Sequence, residues 1–328
     1  MAWKILQQQT LADALMSEHD ALKELDDINA LINWKSIEQH LTQIHSKTRG
    51  ERAWPPLMMF KVLLLQSWYN LSDPATEKQL ARDLLFRRFI DLSLSETVPD
   101  HSSIWRFRNG LQKQGLYEVL LSEINNQLVQ RGLIIRSGEV SIIDASVIQA
   151  QRNRPNKNKN DENTQDPEAG YNVKTASDGK RKTTYGFKAH MNVDEDGFIK
   201  GHQMSAGNLH DSQVFESLLT GNEHQVYADS AYKSQAHDQF LASKKITNKV
   251  LERAYRNKTL TEQQKEHNRY ASQIRSVIER TFGVLKKYYG LGQARYLGIV
   301  RNSARISMMC MAHNIKRAAA IKSSFLNA

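Results

Sequence analysis

The sequence predicts an α/β fold in which a mixed sheet is flanked by helices and preceded by an all-helical N-terminal domain. Two observations predict this arrangement. Up to about residue 130, apolar residues recur at three- and four-residue steps, as in "LADALMSEHDALKELDDINALINWKSIEQHL", which is the period of a helix. Beyond that point, strand-like runs alternate with helical ones. We therefore predict one domain over residues 1–132 and a second over residues 133–328.

The second domain begins with "EVSIIDASVIQ", an apolar run typical of a strand that is buried on both faces. The runs "TTYGFKAHMNV" and "GFIKGHQMSAG" flank "DEDG", which predicts an antiparallel hairpin. Further on, the helix "SQAHDQFLASKK" separates the predicted strands "HQVYADSAY" and "ITNKVLERA", an order that gives parallel neighbours. The predicted sheet therefore mixes both strand directions.

Two connecting segments complete this domain. The stretch "AQRNRPNKNKNDENTQDPEAG" is polar and has no periodicity, which predicts a flexible loop. The stretch "DSQVFESLL" predicts a short helix with Asp211 as its N-cap.

Cysteine usage and hydropathy predict a cytoplasmic protein that does not contact a membrane. The single cysteine, Cys310, allows no internal disulfide and fits a reducing compartment. The first twenty residues lack a basic start followed by an apolar run. The longest apolar run, "PPLMMFKVLLLQSW", is interrupted by Lys61 and is too short to span a bilayer, so we predict a buried helix there.

The distribution of charge points to a polyanionic partner. The formal net charge is +10, and residues 231–328 hold 19 Lys and Arg against 5 Asp and Glu. A concentrated basic surface favours nucleic acid through release of counterions, although a merely solvated basic surface has the same composition.

The segment between residues 74 and 115 predicts two helices around a turn. Thr76 and Gln79 have the spacing of a capping box, which predicts a helix through about Arg88. Asp100 is the predicted N-cap of a second helix that ends before Gly115. This pair is either a helix-turn-helix DNA reader, with Arg106 and Arg108 on the second helix, or a helical hairpin without contact to DNA.

Three acidic residues lie where an ionised carboxylate is costly or unusual. Asp144 follows "VSII" and Asp229 follows "VYA", both at predicted buried strands, and ligand sites in open sheets gather at such strand ends. Glu279 lies on the helix "IRSVIERTFGVLKKYYG", where about 100° per residue puts it in one row with Arg275 and Lys286, beside the apolar stripe. The ordinary alternatives are capping aspartates and an Arg–Glu pair four residues apart.

Taken together, the three carboxylates suggest a metal centre. Mg²⁺ prefers oxygen ligands and substrate phosphate, and two ions can activate a nucleophile and stabilise a leaving oxygen on a phosphodiester. The sequence offers no cysteine pair for zinc, and its histidines show no helical ligand spacing.

The same residues carry a resemblance to a known family. "VPDHSSIWRFRNGL", "SIIDASVIQAQ", "YGFKAHMNVDEDGFIKGHQMSAGNLHDSQ", "VYADSAYKS" and "IRSVIERTFGVLKKYYGLGQARYLG" resemble successive motifs of DDE transposases of the bacterial insertion-sequence-five type, within the insertion-sequence-four-like group. Asp144, Asp229 and Glu279 fall on the three catalytic positions of that family, and 85 and 50 residues separate them.

The resemblance implies a ribonuclease-H-like catalytic core that uses two Mg²⁺ ions, with Mn²⁺ as a substitute, held by the three carboxylates. It implies that the partner is double-stranded DNA, namely the inverted repeats at the ends of the element and the target. It also implies a homodimer in the DNA complex and a nucleoid location. The N-terminal domain is expected to bind DNA or to dimerise. DNA contacts are expected for Arg275 and Lys286, and also for Lys188, Arg106 and Arg108; for Lys188 and His190 on the hairpin, solvated strand residues are the alternative. Ser272 stands where the family has Tyr.

The implied function is cleavage and transfer of DNA strands at the ends of an insertion sequence. The alternative is a domesticated DNA-binding protein or nuclease on the same fold that does not transfer strands.

Overall fold

The computed structural model describes residue 3 and residues 19–44, 52–133, 139–152, 166–175, 179–254 and 259–326. The loop predicted from residue 150 to residue 170 falls mostly outside these ranges. The chain divides into two compact units, Met1–Leu133 with Ser307–Ala328, and Ile134–Ile306. The predicted domain boundary, after residue 132, falls one residue before the observed one, and the last helix from Ser307 onward groups with the N-terminal helices.

The regular secondary structure described in the first unit is helical, apart from an isolated β-bridge between Trp3 and Ala53. Its helices are α1 (Asp26–Leu31), α2 (Trp34–Leu41), α3 (Pro56–Trp68), α4 (Asp73–Arg82), α5 (Leu84–Phe89), α6 (His101–Lys113) and α7 (Leu116–Gln130). The part of α10 (Ile299–Leu326) from Ser307 onward joins them.

Helix α3 is the apolar run of the sequence, and it forms the predicted buried helix. Its residues 58–66 are all buried. At its end, the indole N–H of Trp68 donates a 2.8 Å hydrogen bond to the carbonyl of Ala312 on α10. Even Lys61 is buried, with its ammonium group 2.9 Å from the Asp91 carboxylate and bonded to the Phe89 carbonyl. Among the described helices none combines the length and apolarity needed to cross a membrane.

The helix predicted from the Thr76–Gln79 pair is wrong in its start and in its continuity. Ser72, not Thr76, is the N-cap, and its hydroxyl accepts from the amide of Ala75. The chain breaks again at Asp83, whose carboxylate caps α5. A hydroxyl inside a first turn can bond backward to a carbonyl, as Thr76 does to Ser72, and the sequence pattern does not distinguish the two roles.

The second predicted helix of this segment is confirmed as α6. The Asp100 carboxylate accepts from the amide of Ser103, and the helix ends before Gly115, whose φ of 63° suits glycine. Eleven residues separate α5 from α6, whereas a helix-turn-helix reader has a turn of three or four. This length favours the helical-hairpin interpretation of the segment.

The second unit contains a mixed, six-stranded sheet flanked by helices, as predicted. The strand order is β2–β3–β1–β5–β6, with β4 also paired to β3. Strand β3 runs antiparallel to β1, β2 and β4, whereas β1, β5 and β6 are mutually parallel neighbours. The strands are β1 (Val140–Gln149), β2 (Gly170–Thr175), β3 (Arg181–Val193), β4 (Ile199–Ala206), β5 (Gln225–Ala228) and β6 (Thr247–Asn248).

Three details of this unit differ from prediction. Strand β2 was not predicted, because its alternation leaves Tyr171 and Val173 exposed on an edge and gives no core-facing stripe. Strand β6 keeps only two residues of the predicted "ITNKVLERA". In place of a helix capped by Asp211, two short 3-10 turns occur, and the ring of His210 accepts at the first of them.

Two helices complete the second unit, α8 (Gln235–Ser243) and α9 (Glu262–Tyr288), together with the start of α10, up to Ile306. A capping box of Thr261 and Gln264 begins α9. Its apolar row packs inward as predicted: Ile278 and Leu285 are fully buried. Arg275 lies on that inward face as well, where it is only 8% exposed.

Candidate active site

The sheet register brings the two predicted aspartates together. Ile143 on β1 pairs with Ala228 on β5, and the two strands are parallel. The next residues along the two strands, Asp144 and Asp229, therefore lie side by side at the point where the pairing of β1 with β5 ends. This is the edge of an open sheet at which ligand sites form. Asp229 follows the last residue of β5, as predicted, whereas the strand end predicted at Asp144 is wrong, because β1 continues to Gln149 through its pairing with β3.

The guanidinium of Arg275 joins the two carboxylates. Its Nη2 atom lies 3.4 Å from Oδ2 of Asp144, and its Nη1 atom lies 3.9 Å from Oδ1 of Asp229. The two carboxylates therefore lie close enough together to interact with a single cation. Arg275 therefore lies at the inner edge of α9, where its guanidinium pairs with both aspartates.

The two aspartates differ in their surroundings. The side chain of Asp144 is 24% exposed, and burial raises its pKa, with the Ala145 amide and Arg275 opposing that shift. Asp229 is more open, at 47%, and its Oδ1 accepts from the Ser230 amide at 2.6 Å. Asp229 therefore also has the capping role that the sequence left open as the alternative.

Glu279 faces the same cavity as Asp144. This cavity has a volume of about 790 Å³, and both carboxylates line it together with Lys286 on α9 and residues of β1, β2 and β3. Glu279 is exposed, so the carboxylate reaches the cavity without a burial penalty. Of the three charged residues of the predicted row, Glu279 and Lys286 thus line the cavity, whereas Arg275 pairs with the two aspartates.

Two further lysines line the cavity that sequence reasoning did not single out, Lys174 on β2 and Lys182 on β3. Partial burial, followed by the charges of these two lysines, lowers the pKa of Lys286. Three lysines therefore line the same cavity as the Asp144 and Glu279 carboxylates. Lys174 had no signal in the sequence, because the strand that carries it was not recognised.

The remaining predicted DNA contacts are placed differently. Lys188 is buried, and its ammonium group is 2.8 Å from Oδ1 of Asp211 while donating to the carbonyl of Leu209. His190 on the same strand is fully buried, and its Nε2 is 2.7 Å from the hydroxyl of Ser205. Neither lines the cavity. The phosphate contact predicted for Lys188 therefore has no support from its position, and the solvated-strand alternative is wrong for both residues.

On α6 of the first unit, Arg106 and Arg108 also have different surroundings. Arg106 is exposed, next to Trp105, which is 47% exposed. Arg108 is buried, and its guanidinium binds the carboxylate of Asp73 and donates to Gln66 at 2.9 Å. Its guanidinium holds α6 to its neighbours, so the DNA contact predicted for Arg108 lacks support from this geometry.

The donor set suits a hard divalent cation. All three candidate ligands offer carboxylate oxygens, and the Asp144–Asp229 pair already accommodates the positive group of Arg275. Across the described ranges, no three His, Cys, Asp or Glu side chains approach closely enough to form a closed metal site. Mg²⁺ needs no closed site, since it is commonly bound by one or two carboxylates, substrate phosphate and water.

Comparison with known proteins shows the family of the chain. A family model described as "Transposase DDE domain" matches residues 135–315, more than half of the chain, and one described as "Transposase domain (DUF772)" matches residues 11–110. The chain thus belongs to the transposases with a DDE domain, a family of DNA-binding proteins that generally use divalent metal ions.

One solved structure that resembles the chain is the cryo-EM structure of the piggyBac transposase synaptic complex with hairpin DNA. It is 9% identical, with a TM-score of 0.38, over 98% of this chain and 83% of that one. The family matches, rather than this distant likeness, define the class of the protein.

Proposed function

We propose that the protein is a transposase of the insertion-sequence-five type that cleaves and transfers DNA strands with a ribonuclease-H-like core. The observation that carries the proposal is the position of Asp144, which lies beside Asp229 on the neighbouring parallel strand and lines the same cavity as Glu279 and three lysines. Carboxylates and lysines at one cavity suit a phosphodiester, because the lysines attract the backbone and the carboxylates bind metal.

In this proposal each group of the chain has a distinct task. Asp144, Asp229 and Glu279 hold two Mg²⁺ ions, which, when bound, activate the attacking oxygen and stabilise the leaving one. Lys286, Lys174 and Lys182 orient the backbone by point-charge contacts with phosphates. Arg275 keeps the two aspartates at a fixed separation and is placed to exchange one of them for a phosphate.

The partners follow from the reaction. The substrate is double-stranded DNA that carries the terminal inverted repeats of the element, and the second substrate is target DNA. The exposed Arg106 on α6 supplies a phosphate contact in the first unit. Because two ends must be joined in one event, we propose a homodimer in the DNA complex, which the mass of the purified complex tests.

The experiment compares cleavage of end-containing DNA by the wild type and by Glu279→Gln in the presence of Mg²⁺. We expect a loss of at least about 100-fold, since a metal ligand is removed, with unchanged thermal stability because Glu279 is exposed. Glu266→Gln, an exposed change on the same helix, is the matched control and should cut like the wild type. Equal cutting by the Glu279 variant would remove that residue from the mechanism.

A further inference from the structure

Strands β2 and β3 together extend beyond the rest of the sheet. Strand β3 pairs with β1 only as far as Gly186 and with β4 only as far as Phe187. Its last four described residue pairs, of 181–184 with 172–175, are formed with β2 alone within the part of the chain that the structure describes. These four pairs form a two-stranded antiparallel segment, called the ribbon below.

The ribbon is strongly basic. Residues 174–182 contain four Lys and Arg and one acidic residue. Lys174 and Lys182 are directly opposite one another in the register. Like charges at directly opposite positions destabilise a strand pair, so this arrangement suits a bound anion. Both lysines line the same cavity as Asp144 and Glu279, so the anion fits a phosphate of the DNA strand that reaches the carboxylates.

The opposite face of the ribbon carries a cation as well. Side chains alternate along a strand, so Arg181 lies on the other face from its neighbour Lys182. Arg181 is exposed and is not among the residues that line the cavity. On the same face, Val173 is 56% exposed, and next to it Tyr171 is 47% exposed. A guanidinium beside apolar and aromatic side chains is typical of a surface that is covered by a partner.

The dimensions of the ribbon match one groove of double-stranded DNA. Packed sheets lie about 10 Å apart, so one layer with its side chains is about that thick, and four residue pairs span about 14 Å. The major groove of B-DNA is about 12 Å wide and about 8.5 Å deep, whereas the minor groove is about 6 Å wide. The ribbon therefore fits the major groove and is too thick for the minor groove. When it is inserted end-first, its two faces lie against the phosphates of the two strands.

We propose that the ribbon enters the major groove of the duplex beside the cleaved bond. Lys174 and Lys182 contact the backbone of the strand that reaches the carboxylates, and Arg181 contacts the backbone of the complementary strand across the groove. This inference rests on the proposed function and adds to it a contact with the strand that is not cleaved. Contacts with both strands fix the orientation of the duplex relative to Asp144.

Binding of end-containing DNA to the full-length chain without metal tests the contact with the second strand. Fluorescence anisotropy compares the duplex with the isolated strand that is cleaved. For Arg181→Gln we expect about fivefold weaker binding of the duplex and a salt slope lower by about 1, with single-strand binding within about twofold of the wild type. Lys182→Gln should weaken binding of both DNAs, because its contact is with the cleaved strand.

Lys244→Gln is the control that removes the same charge. Lys244 is exposed and precedes β6, at the edge of the sheet opposite to the carboxyl ends of the parallel strands, so this variant should bind both DNAs like the wild type. Normal duplex binding by Arg181→Gln, or an equal loss for duplex and single strand, would overturn the proposal. Normal binding of both DNAs by Lys182→Gln would do the same.

Dimethyl sulfate footprinting identifies the groove. This reagent methylates guanine N7 in the major groove and adenine N3 in the minor groove. We expect the wild type to protect guanine N7 within about one helical turn of the cleaved bond, and Arg181→Glu, compared at equal occupancy of the DNA, to lose that protection. Protection of adenine N3 instead, or guanine protection that persists in Arg181→Glu, argues against insertion of the ribbon. Because Arg181 is exposed, both of its variants should keep the melting temperature of the wild type.

Cleavage in Mg²⁺ separates this inference from the proposed function. If Asp144→Asn cuts like the wild type while Arg181→Gln loses affinity for the duplex alone, the proposed catalytic centre fails and the groove contact stands. If Asp144→Asn does not cut while Arg181→Gln binds the duplex normally, the centre stands and only the contact of the ribbon is lost.

Discussion

Arg275 lies between Asp144 and Asp229, 3.4 Å from a carboxylate oxygen of the first and 3.9 Å from one of the second. In this structure its guanidinium supplies the positive charge that two neighbouring carboxylates require. A divalent cation bound to the same carboxylates would supply that charge as well. Arg275 and metal thus have overlapping electrostatic roles at the aspartate pair.

Replacing Arg275 by Gln should therefore make stability depend on metal. Without divalent ions, we expect a loss of roughly 1–3 kcal/mol, because two half-buried carboxylates lose their counter-charge. Added Mg²⁺ should raise the melting temperature of this variant more than that of the wild type. Differential scanning fluorimetry over a Mg²⁺ series measures both effects. Arg280→Gln, an exposed change five residues further along α9, should show neither.

We expect Lys286 and Lys287, which are neighbours in the sequence, to contribute differently to DNA binding. Lys286 lines the cavity, whereas Lys287 does not, and its ammonium lies 5.1 Å from the ring of Tyr288. Lys286→Gln should weaken DNA binding and reduce the slope of log affinity against log salt by about 1, whereas Lys287→Gln should leave that slope closer to the wild type. Fluorescence anisotropy at several salt concentrations measures the slopes. Equal slopes for the two variants would contradict a phosphate contact at Lys286.

Asp194 predicts a pH dependence of stability that is unconnected with the site. It is 4% exposed, and burial raises its pKa to about 6, although its Oδ1 accepts from the amide of Phe198. The folded state then binds the proton more tightly than the unfolded state, whose pKa is about 3.9. This stabilising contribution is complete below about pH 4 and is lost as the pH rises through about 6.

Asp194→Asn should remove this loss of stability at higher pH, since the side-chain amide is neutral at every pH and retains the oxygen that accepts the hydrogen bond. We expect a gain of about 2 kcal/mol at pH 7.5 and a much smaller one near pH 4, from about 1.4 kcal/mol per pKa unit. Thermal unfolding at a series of pH values between 4 and 8 gives the two curves. Glu195→Gln in the same turn is exposed and should run parallel to the wild type. A gain that is the same at every pH would argue against titration of Asp194.

In the first unit, we expect substitution of Arg108 to reduce stability and substitution of Arg106 to reduce DNA binding. Arg108→Ala leaves the half-buried Asp73 carboxylate without its counter-charge and the Gln66 carbonyl oxygen without its donor, so we expect a loss of about 3 kcal/mol of unfolding free energy. Arg106→Ala should change stability by less than about 0.5 kcal/mol and weaken DNA binding. Chemical denaturation and anisotropy distinguish them. A stable Arg108 variant with weakened DNA binding would reinstate Arg108 as a DNA contact.

The sequence predicted the sheet class and the two strands next to the aspartates because these depend on local signals. The apolar runs "VSIID" and "VYAD" each mark a strand, although Asp229 follows the end of β5 whereas β1 continues for five residues beyond Asp144. The buried row of α9 was likewise readable, since Ile278 and Leu285 recur at helical spacing. These features depend on residues close to one another in the chain.

The features that could not be predicted depend on partners that are distant in sequence. Nothing near Lys188 indicates that its ammonium is paired with Asp211, and nothing near Arg108 indicates Asp73. Both residues are cations on a predicted strand or helix, which is also what an exposed DNA contact looks like in a sequence. Only the three-dimensional packing shows that these two charges are turned inward.

The helix α9 runs without interruption from Glu262 to Tyr288, and this continuity limits how the protein can change over evolutionary time. Arg275, Glu279 and Lys286 belong to one rigid rod, with about 16 Å of rise from the first to the last. A single inserted or deleted residue between them would rotate everything beyond it by about 100° and take the carboxylate, the lysine or both out of the cavity. Such length variation is therefore expected in loops, whereas this stretch of helix should tolerate substitutions but no change in length.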